Sequence, residues 1–386
     1  MKRKILYAIT AILLIGSIYF FGFVAEGVDK KSNTVSIKNP LTNFNGKIEP
    51  IPFIADLHCD ELLWDRDLLE EADHGHVDLP RMQKANMALQ FFSIVSKTPK
   101  GINIESNPSD SDMNGLLSFG QLLPPKTWFS IKERAIYQCK LLRDFVKKSN
   151  GQLAMVDTQA KLANFVENRA KGNKTVGCML GLEGAHCLES DLNNVKLFAD
   201  LGVRYIGLTH FFDNEWAGSA HGEKKGGLTE LGKKLIKEME KYHIAIDLAH
   251  ASKQTIDDVF ALTTGPVIIS HTGVKGVCDN NRNLSDKHLD EIGKRNGLVG
   301  IGLWETAVCG KDAKATAVSI KYVADKIGID KVALGSDFDG AIETHFDVTG
   351  LPLIAYELQK LGFNQEQINQ VMGGNVRDYF LKHLPK

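Results

Sequence analysis

Residues 53–60 of the 386-residue chain read FIADLHCD, an apolar run that ends in a His-x-Asp pair. The apolar run predicts a short buried strand. Because side chains in an extended chain alternate between its two faces, His58 and Asp60 point to the same side. Imidazole and carboxylate are both good zinc ligands, although His-x-Asp also occurs by chance on solvated surfaces. The pair therefore predicts a metal site only if later strands supply further ligands.

From residue 51 onward, short apolar runs alternate with longer amphipathic stretches. Most of the runs are continuously apolar, which is typical of strands covered on both faces. Eight such strands alternating with helices over about 300 residues predict an α/β fold, a (β/α)8 barrel of the TIM type. A doubly wound open sheet is the alternative, but no G-x-G-x-x-G follows the first strand. The predicted strands are 53–58, 88–95, 175–182, 205–210, 244–249, 267–271, 298–304 and 331–336.

Apolar residues at helical spacing predict the helices between these strands. Thr229, Ser252 and Ser285 stand where N-caps are expected. The tail over 364–383 predicts two short helices divided by a Gly-Gly pair. Residues 96–123, rich in Gly, Ser, Asp and Pro, are either a lid over the site or a solvated insertion. The predicted helices are 127–148, 228–242, 252–262, 285–296 and 313–328.

The N-terminus differs from the rest of the chain. Three basic residues precede an uncharged apolar run from Ile5 to Ala25, which is long enough to cross a bilayer as a helix. The basic flank predicts that the following residues lie outside the cytoplasm. A cleaved secretory signal is the alternative, although the small-x-small cleavage triplet is missing. The predicted parts are a signal anchor or signal peptide (1–25), a polar linker (26–50) and the barrel (51–386).

Either form of the N-terminus predicts export of the barrel. An uncleaved helix anchors it to the cell membrane with the catalytic part outside the cytoplasm, and a cleaved signal leaves it periplasmic or secreted. The net charge of −1, from 46 basic and 47 acidic residues, gives no sign of a nucleic-acid partner. None of the six cysteines forms a C-x-x-C pair, so a thiolate zinc site is not indicated.

Ionisable residues fall at the ends of the predicted strands. Barrel enzymes build their sites from the C-terminal ends of strands and the loops that follow. Burying a charge in such apolar surroundings is costly unless it is paired or bound to a metal. Each residue alone has an ordinary structural explanation, but together they predict one metal-dependent site. The residues are His58, Asp60, Glu183, His210, Asp247, His250, His271, Asp337 and Asp339.

The other histidines stand in polar or helical surroundings and are interpreted as surface or structural residues. His186, three residues after Glu183, remains open between a supporting role and none. The histidines assigned to the surface or to structure are His74, His76, His221, His243, His288, His345 and His383.

Ten short motifs follow one another in a fixed order. They are DLHCD (56–60), VDLPR (77–81), LEGAH (182–186), LGVRY (201–205), LTH (208–210), DLAH (247–250), SH (270–271), NRNL (281–284), GSDFDG (335–340) and GGN (373–375). From about residue 52 to its C-terminus, the chain resembles the membrane dipeptidase (renal dipeptidase) family of zinc peptidases, a branch of the amidohydrolase-like barrels, in a bacterial-type form.

The resemblance implies two zinc ions per chain. His58 and Asp60 would hold the first ion, Glu183 would bridge both, and His250 and His271 would hold the second. The ions would activate a water molecule for attack on a peptide bond.

The resemblance also implies the remaining roles. His210 and Arg282 match the family's substrate contacts, and Asp337 its acid/base carboxylate. Cys278 and Cys309 match positions that form a disulfide in the animal enzymes. Related enzymes are often dimers, so a homodimer is one option for the oligomeric state. The loop after His210, FFDNEW (211–216), departs from the family pattern and leaves side-chain preference open.

Zinc-dependent hydrolysis of dipeptides is thus the predicted function. Within the same chemical class, the alternative is an amidohydrolase that acts on N-acyl amino acids or lactams. From another class, the alternative is a non-catalytic exported binding protein on the same barrel.

Overall fold

The computed structural model describes residues 20–42 and 44–386, together with residues 3, 5, 7, 10 and 16. Most of the predicted signal or anchor segment, residues 1–25, therefore lies outside the described residues. Within the described part of the chain, no helix is long and apolar enough to cross a membrane.

In the described residues, eight parallel strands close into a barrel. Their order around it is β3-β2-β10-β9-β8-β7-β6-β5, and β5 pairs with β3 to close the ring. Strand β4 extends the sheet beside β5, and β1 pairs with β11 outside the barrel. In chain order, the strands are β1 (Thr34–Val35), β2 (Ile54–Asp56), β3 (Met87–Ile94), β4 (Leu153–Met155), β5 (Val176–Leu182), β6 (Val203–Gly207), β7 (Ala245–Asp247), β8 (Ile268–Thr272), β9 (Leu298–Ile301), β10 (Val332–Leu334) and β11 (Glu343–Thr344).

The barrel confirms the predicted (β/α)8 class, and each of its strands overlaps one predicted strand. Every residue of β3 and β5 is buried, as expected for parallel strands covered on both faces. Interior side chains such as Phe91 and Tyr205 belong to one apolar cluster, and Phe380 of the C-terminal helix packs on Phe91 with ring centroids 4.6 Å apart.

Helices surround the sheet. The N-caps predicted at Thr229, Ser252 and Ser285 are confirmed, because each side chain accepts a hydrogen bond from a backbone N–H of the first turn. The helices are α1 (Ala25–Ser32), α2 (Leu79–Lys84), α3 (Met113–Gly120), α4 (Lys126–Phe129), α5 (Ile131–Lys148), α6 (Gln159–Ala170), α7 (Asn193–Asp200), α8 (Glu230–Lys241), α9 (Lys253–Leu262), α10 (Asp286–Lys294), α11 (Glu305–Val308), α12 (Ala313–Ile327), α13 (Pro352–Lys360), α14 (Gln365–Asn369) and α15 (Asn375–His383).

One predicted helix is interrupted, and the tail divides at the Gly-Gly pair as predicted. The stretch 127–148 divides at Ser130, whose extended backbone and side-chain bond to the Glu133 N–H begin α5. In the tail, a π-helical turn over Gln370–Gly374 joins α14 to α15, with non-helical backbone at Gly373. A Cβ at Gly373 would lie 2.4 Å from the Phe53 carbonyl oxygen, so this turn approaches the first barrel strand as only glycine permits.

Two segments are more ordered than the sequence predicts. Residues 26–50, predicted as a polar linker, include helix α1 and strand β1. The irregular segment 96–123 contains α3, whose Asp112 N-cap accepts from the Gly115 N–H. Both segments lie over the end of the barrel where the predicted site residues gather.

Candidate active site

The C-terminal ends of the barrel strands bring the predicted ligands together. His58 follows β2, Glu183 follows β5 and His271 lies near the end of β8. His210 and His250 follow β6 and β7. All five side chains are buried. Parallel strands place these residues at one end of the barrel, as the sequence predicts.

One carboxylate oxygen of Glu183 lies at the centre of the site. Its Oε1 atom is 3.1 Å from His250 Nε2, 3.4 Å from His210 Nε2 and 3.4 Å from His271 Nε2. His58 Nε2 lies 3.5 Å from the same oxygen. Four imidazole nitrogens around a single buried oxygen form a donor set suited to zinc.

Two further carboxylates, those of Asp60 and Asp337, lie beside this set. His58 Nε2 is 3.4 Å from Asp60 Oδ1 and 3.8 Å from Asp337 Oδ1. The described residues contain three groups of possible metal ligands. Within each group, the ligand atoms lie within 4.8 Å of one another, and Glu183 belongs to two of the groups. The groups are His58 with Glu183 and His271; Glu183 with His210 and His250; and His58 with Asp60 and Asp337.

Unpaired donor atoms indicate that the residues fit a metal. Among the described residues, buried His58 Nε2 and Asp60 Oδ1 have no hydrogen-bond partner, although they face each other. His210 Nδ1 and His250 Nδ1 are buried and unpaired as well. Leaving polar atoms buried without partners costs about 1–3 kcal/mol each. A metal ion bound to His58 and Asp60 would remove part of that cost.

Buried hydrogen bonds fix the orientation of two of the histidines. The Ser270 hydroxyl donates to Asp247 Oδ2 at 2.6 Å and lies 2.9 Å from His271 Nδ1. The Tyr205 hydroxyl lies 3.2 Å from His58 Nδ1. Such partners of the far ring nitrogen hold a ligating imidazole so that Nε2 faces the site.

Asp247, which the sequence places at the site, supports it through Ser270 rather than facing the cavity. Asp339 likewise turns away: its carboxylate accepts from the backbone N–H groups of His76 and Val77 and pairs with Arg66 at 2.8 Å. These contacts hold the loop that carries Asp337.

That loop has an unusual backbone. Asp337, Asp339 and Ala341 all have φ near +60°, and His250 has φ +60°. Positive φ at such residues costs about 1–3 kcal/mol each and is common at functional sites. At Gly340, an added Cβ would lie 2.4 Å from Asp337 Oδ1 and 2.9 Å from Asp60 Oδ2. Only glycine therefore leaves these two carboxylates room to face the site.

Burial raises the pKa of Asp337 to about 8, with the charge on His58 acting in the opposite direction. Burial also raises the pKa of Glu183 well above its ordinary value. Burial lowers the pKa of His58, but Asp60 and Glu183 outweigh it and raise that pKa to about 10. So many buried carboxylates require cations nearby, and bound divalent ions would lower the carboxyl pKa values again.

A cavity of about 450 Å³ opens above these groups. Of the eight predicted site residues, the six that line it are Asp60, Glu183, His210, His250, Arg282 and Asp337. His58 and His271 lie beneath them, in contact with Glu183. The structure therefore brings these eight residues together, while Asp247 and Asp339 support the site from outside the cavity.

His221 corrects one sequence interpretation. The sequence assigns it to the surface or to structure, yet it is buried, lines the cavity and lies with its ring centroid 5.1 Å from that of His250. It lies in an irregular loop and not at the end of an apolar strand. The pattern that revealed the other site histidines is therefore missing at His221. His186 is buried behind the site, where Nε2 lies 3.0 Å from the Ser96 hydroxyl.

With this geometry established, comparison with known proteins decides the family. The family described as "Membrane dipeptidase (Peptidase family M19)" matches residues 49–378. The chain belongs to this family. Membership confirms the predicted family and the predicted class of metal-dependent dipeptide hydrolase.

Relatives in the dipeptidase family agree over much of the chain. Dipeptidase aclJ of Aspergillus oryzae is 28% identical over 348 residues, which are 84% of this chain and 76% of the relative. Dipeptidase 3 of Rattus norvegicus is 31% identical over 217 residues, 53% of this chain and 44% of the relative.

Solved structures share the barrel. A dipeptidase described as a metallopeptidase superposes with TM-score 0.71 at 25% identity, covering 88% of this chain and 99% of the other. A metallopeptidase of Rhodobacter sphaeroides, solved with a phosphinate mimic of the dipeptide L-Ala-D-Ala, gives TM-score 0.71 at 24% identity, with 88% and 100% covered. These likenesses confirm the fold of this membrane dipeptidase family member.

The pairing of Cys278 with Cys309, implied by the resemblance, is also confirmed, because the two are joined by a disulfide. Cys59, Cys139, Cys178 and Cys187 are free and buried.

Proposed function

We propose that the chain hydrolyses dipeptides with two zinc ions that share Glu183. His58 and Asp60 would hold one ion, and His250 and His271 the other. The observation that carries the proposal is the single Glu183 oxygen with four imidazole nitrogens within 3.5 Å of it. Zinc at such a site supplies Lewis acidity and lowers the pKa of water.

Asp337 is the proposed acid/base. Its carboxylate lines the cavity beside His58. In its ionised form, which bound cations would favour, the carboxylate can accept a proton from the attacking water and pass it to the leaving amine. The left-handed backbone at Asp337 and the bonds of Asp339 hold the carboxylate over the site.

His210 is the proposed partner of the carbonyl oxygen. It lines the cavity, and burial lowers its pKa well below the ordinary value, so the ring is neutral. A neutral imidazole whose N–H faces the reacting carbonyl stabilises the negative charge that develops on its oxygen.

Arg282 is the proposed partner of the substrate carboxylate. Burial lowers its pKa to about 10, so the side chain remains charged at neutral pH. One terminal nitrogen donates to the His271 carbonyl oxygen at 2.6 Å and the other to the Thr272 hydroxyl at 3.3 Å. A guanidinium has five N–H donors, so the others remain for a carboxylate in the cavity.

The experiment that tests the function is turnover of zinc-loaded protein on a panel of dipeptides, N-acetyl amino acids and a lactam. We expect kcat/KM for dipeptides to be well above kcat/KM for the N-acetyl compounds. Preference for N-acyl or lactam substrates would instead favour the other amidohydrolase activity. Much less than one zinc per chain, with no turnover, would favour a non-catalytic binding protein.

We further propose that the barrel is exported and anchored by its N-terminal apolar run. The uncharged run from Ile5 to Ala25 after three basic residues supports this, as does the disulfide, because disulfides persist in oxidising compartments. Fractionation that leaves full-length chain in the membrane tests the anchor, and mass measurement distinguishes a cleaved signal. Sedimentation of the purified protein tests whether it forms a homodimer.

A further inference from the structure

The cavity lining combines two chemically different sets of side chains. One set is polar and includes Asp60, Glu183, His250, Arg282 and Asp337. The other set is apolar and includes Val24, Val28, Leu63, Leu116, Leu117 and Ile342. A small dipeptide such as Ala-Ala would cover little of this apolar lining. The cavity therefore suits a substrate with a polar head and a large apolar part.

The N-terminal segment supplies part of the apolar lining. Val24, Ala25, Val28 and Ser32 of this segment line the cavity. They precede residues 49–378, the part of the chain that matches the family. This part of the cavity lining therefore lies outside the residues that match the family.

Buried ion pairs hold α1 against the barrel. Asp29 Oδ2 lies 3.1 Å from Arg66 Nε, and Arg66 also pairs with Glu61 at 2.7 Å and with Asp339 at 2.8 Å. The Asp29 and Arg66 side chains are 5% and 6% exposed. Since Asp339 belongs to the loop that carries Asp337, α1 is connected to the same loop that forms the site.

Two further contacts fix the segment after α1. Asn33 donates to Asp29 at 2.7 Å and accepts from the Ala341 N–H at 2.9 Å. Strand β1 then pairs in parallel with β11. Hydrogen bonds from side chains and backbone thus join the N-terminal segment to the loop over 337–344. They hold Val28 at a defined position.

We propose that α1 is a specificity wall, and that Val28 together with Leu116 of α3 selects dipeptides with a large apolar side chain. The proposal rests on the dipeptidase function and names its substrate class. Val28 and Leu116 both line the cavity and are 45% and 53% exposed. An apolar side chain that packs against them would remove part of their surface from water, which favours binding in proportion to the buried apolar area.

The test uses the full-length zinc-loaded protein and five dipeptides: Ala-Ala, Leu-Ala, Ala-Leu, Lys-Ala and Ala-Lys. Val28→Glu and Leu116→Glu each place a carboxylate in the apolar lining. Gly27→Glu is the matched control, because Gly27 is exposed on the same helix, does not line the cavity and has open space beside it. Circular dichroism and zinc content show that each variant is folded and loaded.

The wild-type protein is expected to hydrolyse one leucine dipeptide with kcat/KM about tenfold or more above Ala-Ala, the usual effect of several added methylenes in a pocket. Val28→Glu and Leu116→Glu should remove that preference and raise the ratio of kcat/KM for the matching lysine dipeptide to kcat/KM for Ala-Ala. Gly27→Glu should behave as wild type.

Three results would overturn the proposal. One is equal kcat/KM for Ala-Ala and both leucine dipeptides. The second is an equal change of kcat/KM on all five substrates in Val28→Glu. The third is loss of the leucine preference in Gly27→Glu. Turnover of Ala-Ala in these cases leaves the dipeptidase function intact. Absence of turnover on the entire panel would overturn that function and the specificity wall with it.

Discussion

At the scale of single residues, Glu183 determines how the site can work. Its Oε1 atom lies within 3.5 Å of an imidazole nitrogen from each of four strands or their following loops. A lone buried carboxylate among apolar strands would be unfavourable. Surrounded by four histidines, it is instead a group that can be shared by two cations.

Asp337→Asn should lower kcat by about 10² to 10⁴ while zinc content and fold stay unchanged, because asparagine keeps the shape but cannot carry the proton. Steady-state kinetics with metal analysis measures both quantities. The matched control is Asp110→Asn at an exposed position, which should behave as wild type. Near-normal turnover in Asp337→Asn would assign the proton transfer to another group.

Arg282→Lys should raise KM for free dipeptides about tenfold or more, because lysine keeps the charge but loses the planar fork that matches a carboxylate. Dipeptide amides, which lack that carboxylate, should be affected less. Comparison of kcat and KM on both substrate types measures this difference. Arg377→Lys on α15, away from the cavity, is the control. An equal loss on both substrate types would contradict the assigned contact.

At the scale of elements, the barrel could be predicted because the unit of strand and helix recurs along the chain. Eight continuously apolar runs, each followed by an amphipathic stretch, specify buried parallel strands and their order. Their terminal histidines and carboxylates then specify the site, since strand ends converge. The candidate positions His58 and His271 follow from this rule, whereas their proposed roles as ligands follow from the resemblance to the family.

Other elements carried no such repeated signal. Helix α1 is short and polar, and it is held by Asp29 and Arg66, which meet only in the folded chain. His221 reaches the cavity from an irregular loop, with its Nδ1 atom 2.6 Å from the Ile104 carbonyl oxygen. Contacts between residues distant in sequence decide both positions, and local periodicity does not report them.

Asp29→Ala should lower the free energy of unfolding by about 1–3 kcal/mol, because it leaves the buried Arg66 with fewer partners. Urea unfolding measures the change. Asp73→Ala is the control, because the Asp73 side chain is 74% exposed and its pair with Lys30 is worth about 1 kcal/mol or less. Equal unfolding free energies for wild type and Asp29→Ala would show that α1 is not held by this pair.

At the scale of the whole molecule, one disulfide and one cluster of candidate metal ligands connect distant parts of the chain. The disulfide joins Cys278 to Cys309 across 31 residues, from the loop after β8 to the residue after α11. Val24 and Ala25 line the cavity at the end of the apolar N-terminal run. Membrane anchoring through that run would therefore place the cavity mouth at the bilayer surface.

Titration of the denatured protein should find four reactive thiols without reductant and six after reduction, since Cys278 and Cys309 are bonded and the other four are free. Cys278→Ser should lower the free energy of unfolding by about 3–4 kcal/mol, the stabilisation expected from closing a loop of this length. Six thiols in both conditions would contradict the disulfide.

The central claim is a two-zinc site shared through Glu183, and anomalous diffraction at the zinc edge tests it most directly. The measurement uses crystals of the full-length protein with a non-hydrolysable phosphinate dipeptide. The account predicts two zinc peaks, both bonded to Glu183, with His58 and Asp60 on one and His250 and His271 on the other, and the phosphinate beside Asp337. A single peak, or two peaks that do not share Glu183, would contradict it.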